Sequence, residues 1–425
     1  MHEGTAMHAM ARELWPINRS LTGPGTCETL SLIQRELPDL RIHDIASGTQ
    51  VFDWTVPDEW TIRSARLIGP DGTTVIDFAD NNLHVVGYSE PVLRTLTLEE
   101  LQPHLHSLPD QPDAIPYVTS YYKRRWGFCL TDRQRASLTD GDYRVEIDTT
   151  LASGVLNYGE LLIPGESDAE IFLSTYVCHP SMANNELSGP MVTTWLAKHI
   201  AERSRRYSYR IVFIPETIGS LVYLSRHLDA MRAKIVAGFN ITCIGDERAY
   251  GHVPSRAGDT LADRAAQHVL RHTDPDYRQY TYLDRGSDER QYCAPGVDLP
   301  VTTITRSKYH EYPEYHTSLD DLDFVTPAGL QGGYDALRRA IAIIEANRTY
   351  GMTVLGEPQL GKRGLYPDIS TVHEVHPAKT LMDFLAYCDG TRDLIAIADM
   401  IGVPAWDLIP HAEKMAAHDL IEAVA

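Results

Sequence analysis

No segment of the 425-residue sequence reaches the ~18 consecutive apolar residues that a membrane-spanning helix needs. The first residues, MHEGTAMHAMARELWP, contain neither a basic stretch nor an apolar one, so no secretory leader is expected. The six cysteines (Cys27, Cys129, Cys178, Cys243, Cys293 and Cys388) are scattered and form no C-x-x-C pair. That spacing argues against disulfides and a thiolate metal site, and for isolated buried thiols in a reducing compartment. Basic residues are scarce: 38 Lys and Arg against 58 Asp and Glu leave a net charge of −20. Such a surface repels nucleic acid and anionic membranes and favours solubility. Internal repeats and low-complexity segments are also lacking. A soluble, cytoplasmic protein is the expectation.

What is present is the composition of a globular protein, 43% apolar and 23% charged, in a chain long enough for two or three domains. Residues 7–14 and 28–37 read as helices joined by the stretch SLTGPGT. Between about 48 and 92, short β-rich runs at 61–67, 74–78 and 84–88 alternate with Gly, Pro and Asp turns, as in a small strand-rich insertion. A loop rich in Pro and His, 102–116, leads out of it.

From Tyr143 the pattern becomes α/β. Strands are expected at 143–147, 159–163, 171–177, 209–214, 235–242 and 301–305, with helices at 190–203, 220–231, 260–272 and 327–348. Alternation of this kind predicts a mainly parallel, doubly wound sheet whose ligands bind beyond the carboxyl ends of its strands. Three short helices, 380–388, 393–400 and 404–417, close the chain. Their helix-turn-helix spacing invites a DNA-binding reading. Yet residues 376–425 hold three basic side chains (Lys379, Arg392, Lys414) and eight acidic ones, a net of −5. Phosphate contacts supply most non-specific DNA affinity, so a packing or oligomerisation module is expected instead.

Polar residues gather where strands give way to helices. His179 follows one predicted strand, and Asn184, Asn185 and Glu186 precede Ser188-Gly189-Pro190. A lone histidine there is ordinarily a hydrogen-bonded structural residue; these neighbours change the weighting. Glu216 stands at the end of the next strand, in IPETIGS, where a helix-start acid is the plain alternative. Ser287-Asp288-Glu289 comes later, and then YHEYPEYHTSLDD from Tyr309 to Asp321. Four such clusters at strand ends converge in one crevice, which suggests a metallohydrolase. That chemistry needs about three N/O ligands, an open position for water and a carboxylate for the water's proton.

The stretches CHPSMANNELSGP (178–190), IPETIGS (214–220), CIGDE (243–247), GSDERQYCAPG (286–296) and YHTSLDDLDF (315–324) resemble the zinc aminopeptidase superfamily. More closely they resemble bacterial aminopeptidase-like proteins with an inserted β domain and a C-terminal winged helix, often found among polysaccharide or natural-product biosynthesis genes. The resemblance covers almost the whole chain. It implies an aminopeptidase-like catalytic domain at 1–45 and 135–350, an inserted β-rich domain at 46–134 and a winged-helix-like domain at 351–425. It further implies a zinc-dependent hydrolase of peptide or amide bonds in small molecules or short peptides, with a homo-oligomer plausible.

Carried over residue by residue, the family pattern departs here. Asn184 stands for the metal-bridging aspartate, Asn240 for a later aspartate ligand, and the paired glutamates are reduced to Glu216. A neutral amide offsets no repulsion between two dications, so one Zn2+ per chain is expected. The resemblance implies His179, His316 and Glu186 as its ligands and Glu216 as general base, or the two glutamates exchanged. Asp288 is expected to orient a ligand histidine or the substrate amine. Asn184, Tyr309, Tyr312 and Tyr315 are expected at the substrate, the tyrosines as an aromatic wall or an oxyanion donor.

Overall fold

The computed structural model describes residues 3–365 and 377–424, which pack as two units. The first comprises residues 1–258 and 278–334, and the second 259–277 and 335–425.

An eight-stranded mixed sheet organises the first unit. Its centre is four parallel strands in the order Tyr207–Ile214, Ser167–Tyr176, Ile235–Asn240 and Val301–Thr305. Val155–Ile163 and Arg41–Ala46 extend one edge antiparallel, and Gly251–Val253 and Arg278–Gln279 extend the other. The central strands read as continuous apolar runs because both faces are covered: every residue from Glu170 to Tyr176 is buried. Helices Glu3–Leu14, Pro24–Glu36, Ser188–Ala201 and Ile218–Lys234 belong to this unit.

The insertion is a four-stranded antiparallel sheet in the order Thr74–Asp77, Glu59–Ile68, Asp142–Ala152 and Val92–Thr97. Two expectations are corrected here. The strand read at 143–147 is not part of the large sheet; it is the middle of this smaller one, pairing Ala65 with Ile147 and Leu96 with Tyr143. Its alternating burial is that of a sheet with one core face, and the run Ala65, Leu67, Val145 and Ile147 forms that core. The run at 84–88 is a 3-10 turn followed by isolated bridges, because Tyr88 takes φ +65° and breaks any ladder. The strand Val92–Thr97, with only one buried residue, carries too weak an apolar pattern to be foreseen.

The second unit contains helix Leu261–Thr273, the continuation of helix Pro327–Ala346, and a three-stranded antiparallel sheet (Asp389–Asp393, Thr349–Met352, Ile421–Ala423) with helices Pro377–Ala386, Leu394–Ile401 and Ala405–Ala417. Helix 261–273 thus joins the helix-turn-helix rather than the large sheet. Arg264 forks onto Asp393, and buried His268 accepts the Ala405 amide at Nε2 (2.7 Å) while its Nδ1 lies 2.6 Å from Asp399. Among the described residues no single helix is long and apolar enough to cross a membrane. The bent pair 394–401 and 405–417 has the composition, but Leu394, Ile395, Ile397 and Leu408 are buried in the unit's own core.

One glycine decides how helix 188–201 meets the sheet. A Cβ on Gly189 would lie 2.4 Å from both the Ile241 carbonyl oxygen and Thr175 Oγ1, a contact that only backbone displacement relieves. Gly189→Ala is therefore expected to destabilise the protein by about 1–3 kcal/mol, as overpacking of a close-packed interior does. Urea denaturation at matched pH measures it, and an unchanged midpoint would show that the helix start is free to shift.

Candidate functional site

The carboxyl ends of the parallel strands carry the polar clusters. The strand Ser167–Tyr176 ends into Val177, Cys178 and His179, and residues Ala183–Leu187 then form one π-helical turn that leads into helix 188–201. A wide turn of this kind recurs at functional sites. Here it places Asn184, Asn185 and Glu186 under the strand end, all of them buried. The turn is held from the far side of the sequence. Asp320 accepts the Asn184 and Asn185 amides at 2.6 and 3.0 Å and the Tyr312 hydroxyl at 2.9 Å. Burial pushes the Asp320 carboxyl up to about 7.

Left-handed backbone concentrates in the same place. Ser181 (φ +43°), Thr217 (+64°), Cys243 (+48°), His310 (+65°) and His316 (+56°) all adopt it without being glycine. A β-branched threonine in this region is a true outlier, and such strain persists only where the surroundings overdetermine it. At Thr217 they do: its amide donates to Asp288 Oδ1 at 2.7 Å, and its Oγ1 accepts from Arg290 at 2.5 Å.

His179 is the centre of the arrangement, 4% exposed at its side chain. Its Nδ1 lies 3.3 Å from Glu186 Oε2, with the Asn185 amide nitrogen at the same distance, and its Nε2 lies 3.8 Å from Glu216 Oε2. Glu186 is wholly buried, as is Arg19, whose Nε is 3.2 Å from Glu186 Oε1. Arg19 also donates to the His179 carbonyl at 3.0 Å and the Leu14 carbonyl at 2.7 Å. Glu186 Oε1 further accepts the Cys178 amide at 2.8 Å. Burial alone would lower the His179 pKa, but Glu186 and Glu216 together raise it. His316, its ring centroid 5.7 Å from that of His179, is held down to about 3 by burial and by the neighbouring imidazole. It is therefore a neutral base at ordinary pH. Glu216, 19% exposed at its side chain, is raised by burial against the pull of His179 and Arg290. Asp288 is enclosed beside it, and burial together with Glu216 pushes it up to about 7.

The residues expected from the sequence divide accordingly. His179, Glu186, Glu216, Asp288 and His316 are brought together. Tyr315 stacks on His316 at 3.9 Å between centroids and 12° between planes. The other expected substrate contacts are tied into the scaffold. Asn184 bonds Asp246 and the Gly245 amide, Tyr309 donates to Glu289 at 2.6 Å, and Tyr312 is held by Asp320. Asn240 likewise donates to Glu289 at 2.8 Å.

Two contributors carry no sequence signal. Arg19 follows the first helix in an unremarked polar stretch, and only the fold shows that it is buried. Tyr117 comes from the insertion and meets His179 and His316 edge-on at 5.3 and 5.2 Å. Its amide donates to the His316 carbonyl at 2.8 Å, and the Ser318 amide donates back to Ile115 at 2.9 Å. The insertion thus braces the loop that bears His316.

Among the described residues, Cys178, His179 and Glu186 bring one potential metal donor each within 4.8 Å. The charge around this trio does not suit a dication: Arg19 already neutralises Glu186, and burial pushes the Cys178 thiol well above its ordinary range. The other side of His179 has no such cation at hydrogen-bonding distance. There Nε2 faces Glu216 at 3.8 Å, with neutral His316 beside it.

Comparison with known proteins agrees with this fold. A family model described as a domain of unknown function (DUF4910) matches residues 8–347, and a winged helix-turn-helix model matches residues 348–423. A Clostridium acetobutylicum protein, provisionally named as a polysaccharide biosynthesis protein with an aminopeptidase-like domain, is 44% identical over 403 residues, 94% of this chain and 92% of that one. A crystal structure from Clostridium acetobutylicum, provisionally named a peptidase, is 41% identical with a TM-score of 0.93, covering 99% of this chain and 96% of its own. BSAP, a zinc aminopeptidase from Bacillus subtilis, shares the fold at 13% identity and a TM-score of 0.57, over 80% of this chain and 93% of that one. The chain belongs to the DUF4910 family, and is an aminopeptidase-like α/β protein with a C-terminal winged helix.

Proposed function

We propose that the protein is a cytoplasmic, zinc-dependent hydrolase of amide bonds in small molecules or short peptides, acting in a biosynthetic pathway. The observation that carries this reading is the two-sided environment of His179. Glu186 and Arg19 occupy its Nδ1 side, and Glu216 lies on its Nε2 side with His316 close by. The Glu186 carboxylate, 3.3 Å from Nδ1, electrostatically favours a proton on that nitrogen, which leaves the Nε2 lone pair facing Glu216, as a metal-ligating histidine requires. His179 Nε2, His316 and Glu216 are the residues that would hold one zinc; of the two glutamates considered from the sequence, Glu186 orients. Zinc bound there supplies Lewis acidity toward a scissile carbonyl and makes water more acidic.

The chain's own groups do the rest. Asp288 Oδ1 takes the Thr217 amide and the Ser220 hydroxyl, fixing the backbone that presents Glu216. Burial raises Glu216 against the pull of His179 and Arg290, so its carboxylate charge is best sheltered when a cation stands beside it. Tyr117 and Tyr315 wall the histidines from solvent. The winged helix is assigned to assembly of a homo-oligomer rather than to DNA. Helix 405–417 exposes Asp407 and Glu413 beside Lys414, a surface that does not attract phosphate.

Protein purified without chelator or affinity metal is expected to contain about one zinc per chain by mass spectrometry. His179→Ala, His316→Ala and Glu216→Gln are expected to lose it. Glu186→Gln unfolds earlier, because it strands Arg19, yet binds zinc in its folded form. Hydrolysis of an amide substrate should be lost together with the zinc in Glu216→Gln. Zinc retained by Glu216→Gln and lost from folded Glu186→Gln would refute this ligand set.

The pH dependence of stability is a separate check. Asp288 moves from an ordinary 3.8 to about 7 on folding, so the folded state binds its proton more tightly than the unfolded state. Its contribution is full below the unfolded value and is lost as pH rises toward 7. In chelator-treated protein, Asp288→Asn is therefore expected to show a flatter decline in stability between about pH 4 and pH 7 than the wild type. Parallel curves for the two proteins would contradict the assignment.

A further inference from the structure

The charged groups around the site are unequally committed. Glu289 accepts the Gly286 and Ser287 amides, the Tyr309 hydroxyl and Asn240. Glu314 is forked by Arg248 at 2.7 and 2.8 Å, and Glu311 takes Arg278 and Tyr280. Glu186 and Asp320 are spent on Arg19 and on the π-helical turn. Asp288 and Glu186 each keep one oxygen without a hydrogen-bond partner, but both residues are fully enclosed. Among the described residues named here, only Glu216 is then left for a substrate ammonium group, and the reaction needs it.

Arg290 is the opposite case. It is half-buried, reaches Thr217 Oγ1 with Nη2 at 2.5 Å, and leaves its enclosed Nε with no acceptor. With only Nη2 bonded and the residue half-exposed, the guanidinium keeps further N–H groups for a ligand oxygen. Its bond to Thr217, the residue that follows Glu216, places it beside the site. Lys308 adds to the same positive field at His310. A guanidinium presents planar N–H donors matched to a carboxylate.

We propose that Arg290 receives a substrate carboxylate adjacent to the scissile amide, so that the substrate class is N-acyl amino acids with a free carboxyl end. This rests on the hydrolase reading for its chemistry, although the recognition itself does not need turnover. The reaction is ordinary hydrolysis. Water adds across the amide, the carbon–nitrogen bond breaks, the acyl carbon leaves as a carboxylate, and the nitrogen leaves as the ammonium of a free amino acid.

The test compares N-acetyl-L-phenylalanine, N-acetyl-L-leucine and N-acetylglycine with their primary amides, which differ only in the charge of that end. Binding to the protein as purified is followed by calorimetry, and release of free amino acid by amine detection. The acids are expected to bind about tenfold or more tightly than the amides, a preference erased in Arg290→Gln and partly restored in Arg290→Lys. Equal binding of acids and amides in the wild type overturns the proposal without recourse to any variant, as does a preference that survives in Arg290→Gln. Failure of every acid to bind overturns it too. Acid-selective binding without amino acid release sustains Arg290 and removes the hydrolase reading; release from acids and amides alike does the reverse.

Discussion

Everything at the site depends on a chain of charge sealed inside the first unit: Arg19, Glu186 and the Nδ1 edge of His179. Taking an arginine and a glutamate wholly out of water is repaid only if both are well paired, and removing one partner of such a pair typically costs about 3–5 kcal/mol. Arg19 goes most of the way by bonding Glu186 and the carbonyls of His179 and Leu14 at once, which leaves its Nη2 and one Glu186 oxygen without a hydrogen bond. One cation thereby joins the end of the first helix, the end of a central strand and the π-helical turn. The orientation of the imidazole is a by-product of that joint, which is why its outward nitrogen faces a consistent direction.

Around this anchor the protein trades backbone comfort for position. Left-handed residues at Ser181, Thr217, Cys243 and His316 each turn a chain segment sharply at a strand end. Each lies where a buried polar contact or an enclosed loop leaves little alternative, as the Asp288 carboxylate does for Thr217. The buried carboxylates that hold this geometry differ from Glu216, which stays partly open to solvent. Asymmetry of that kind, rather than the number of acidic residues, gives the crevice its chemical direction.

Much of this was legible in the sequence. Central strands such as 167–176 and 301–305 are rich in β-branched and aromatic residues (Ile171, Phe172, Thr175 and Tyr176; Val301 and Ile304), and such a run with turn residues after it has few other readings. His179 and Glu216 stand out in the sequence as polar residues just past a strand end, whereas Asp288 and His316 follow from the family resemblance, since neither adjoins the end of a strand. What escaped was whatever depends on long-range pairing. The strand 142–152 alternates as any half-buried strand does, and nothing local says which sheet it joins. Arg19 looks like any exposed arginine, and Tyr117 like any loop aromatic, until the fold brings them to His179. Conversely, Tyr309, Tyr312 and Asn184 look available in sequence and are spent on buried carboxylates and backbone amides.

The bond from the Tyr117 amide to the His316 carbonyl has an evolutionary corollary. A lineage that discarded the inserted sheet would also release the loop that presents its second histidine. The insertion is thus not an ornament that descendants are free to shed, and the two parts are bound to be inherited, lengthened and exchanged between genes as a single piece.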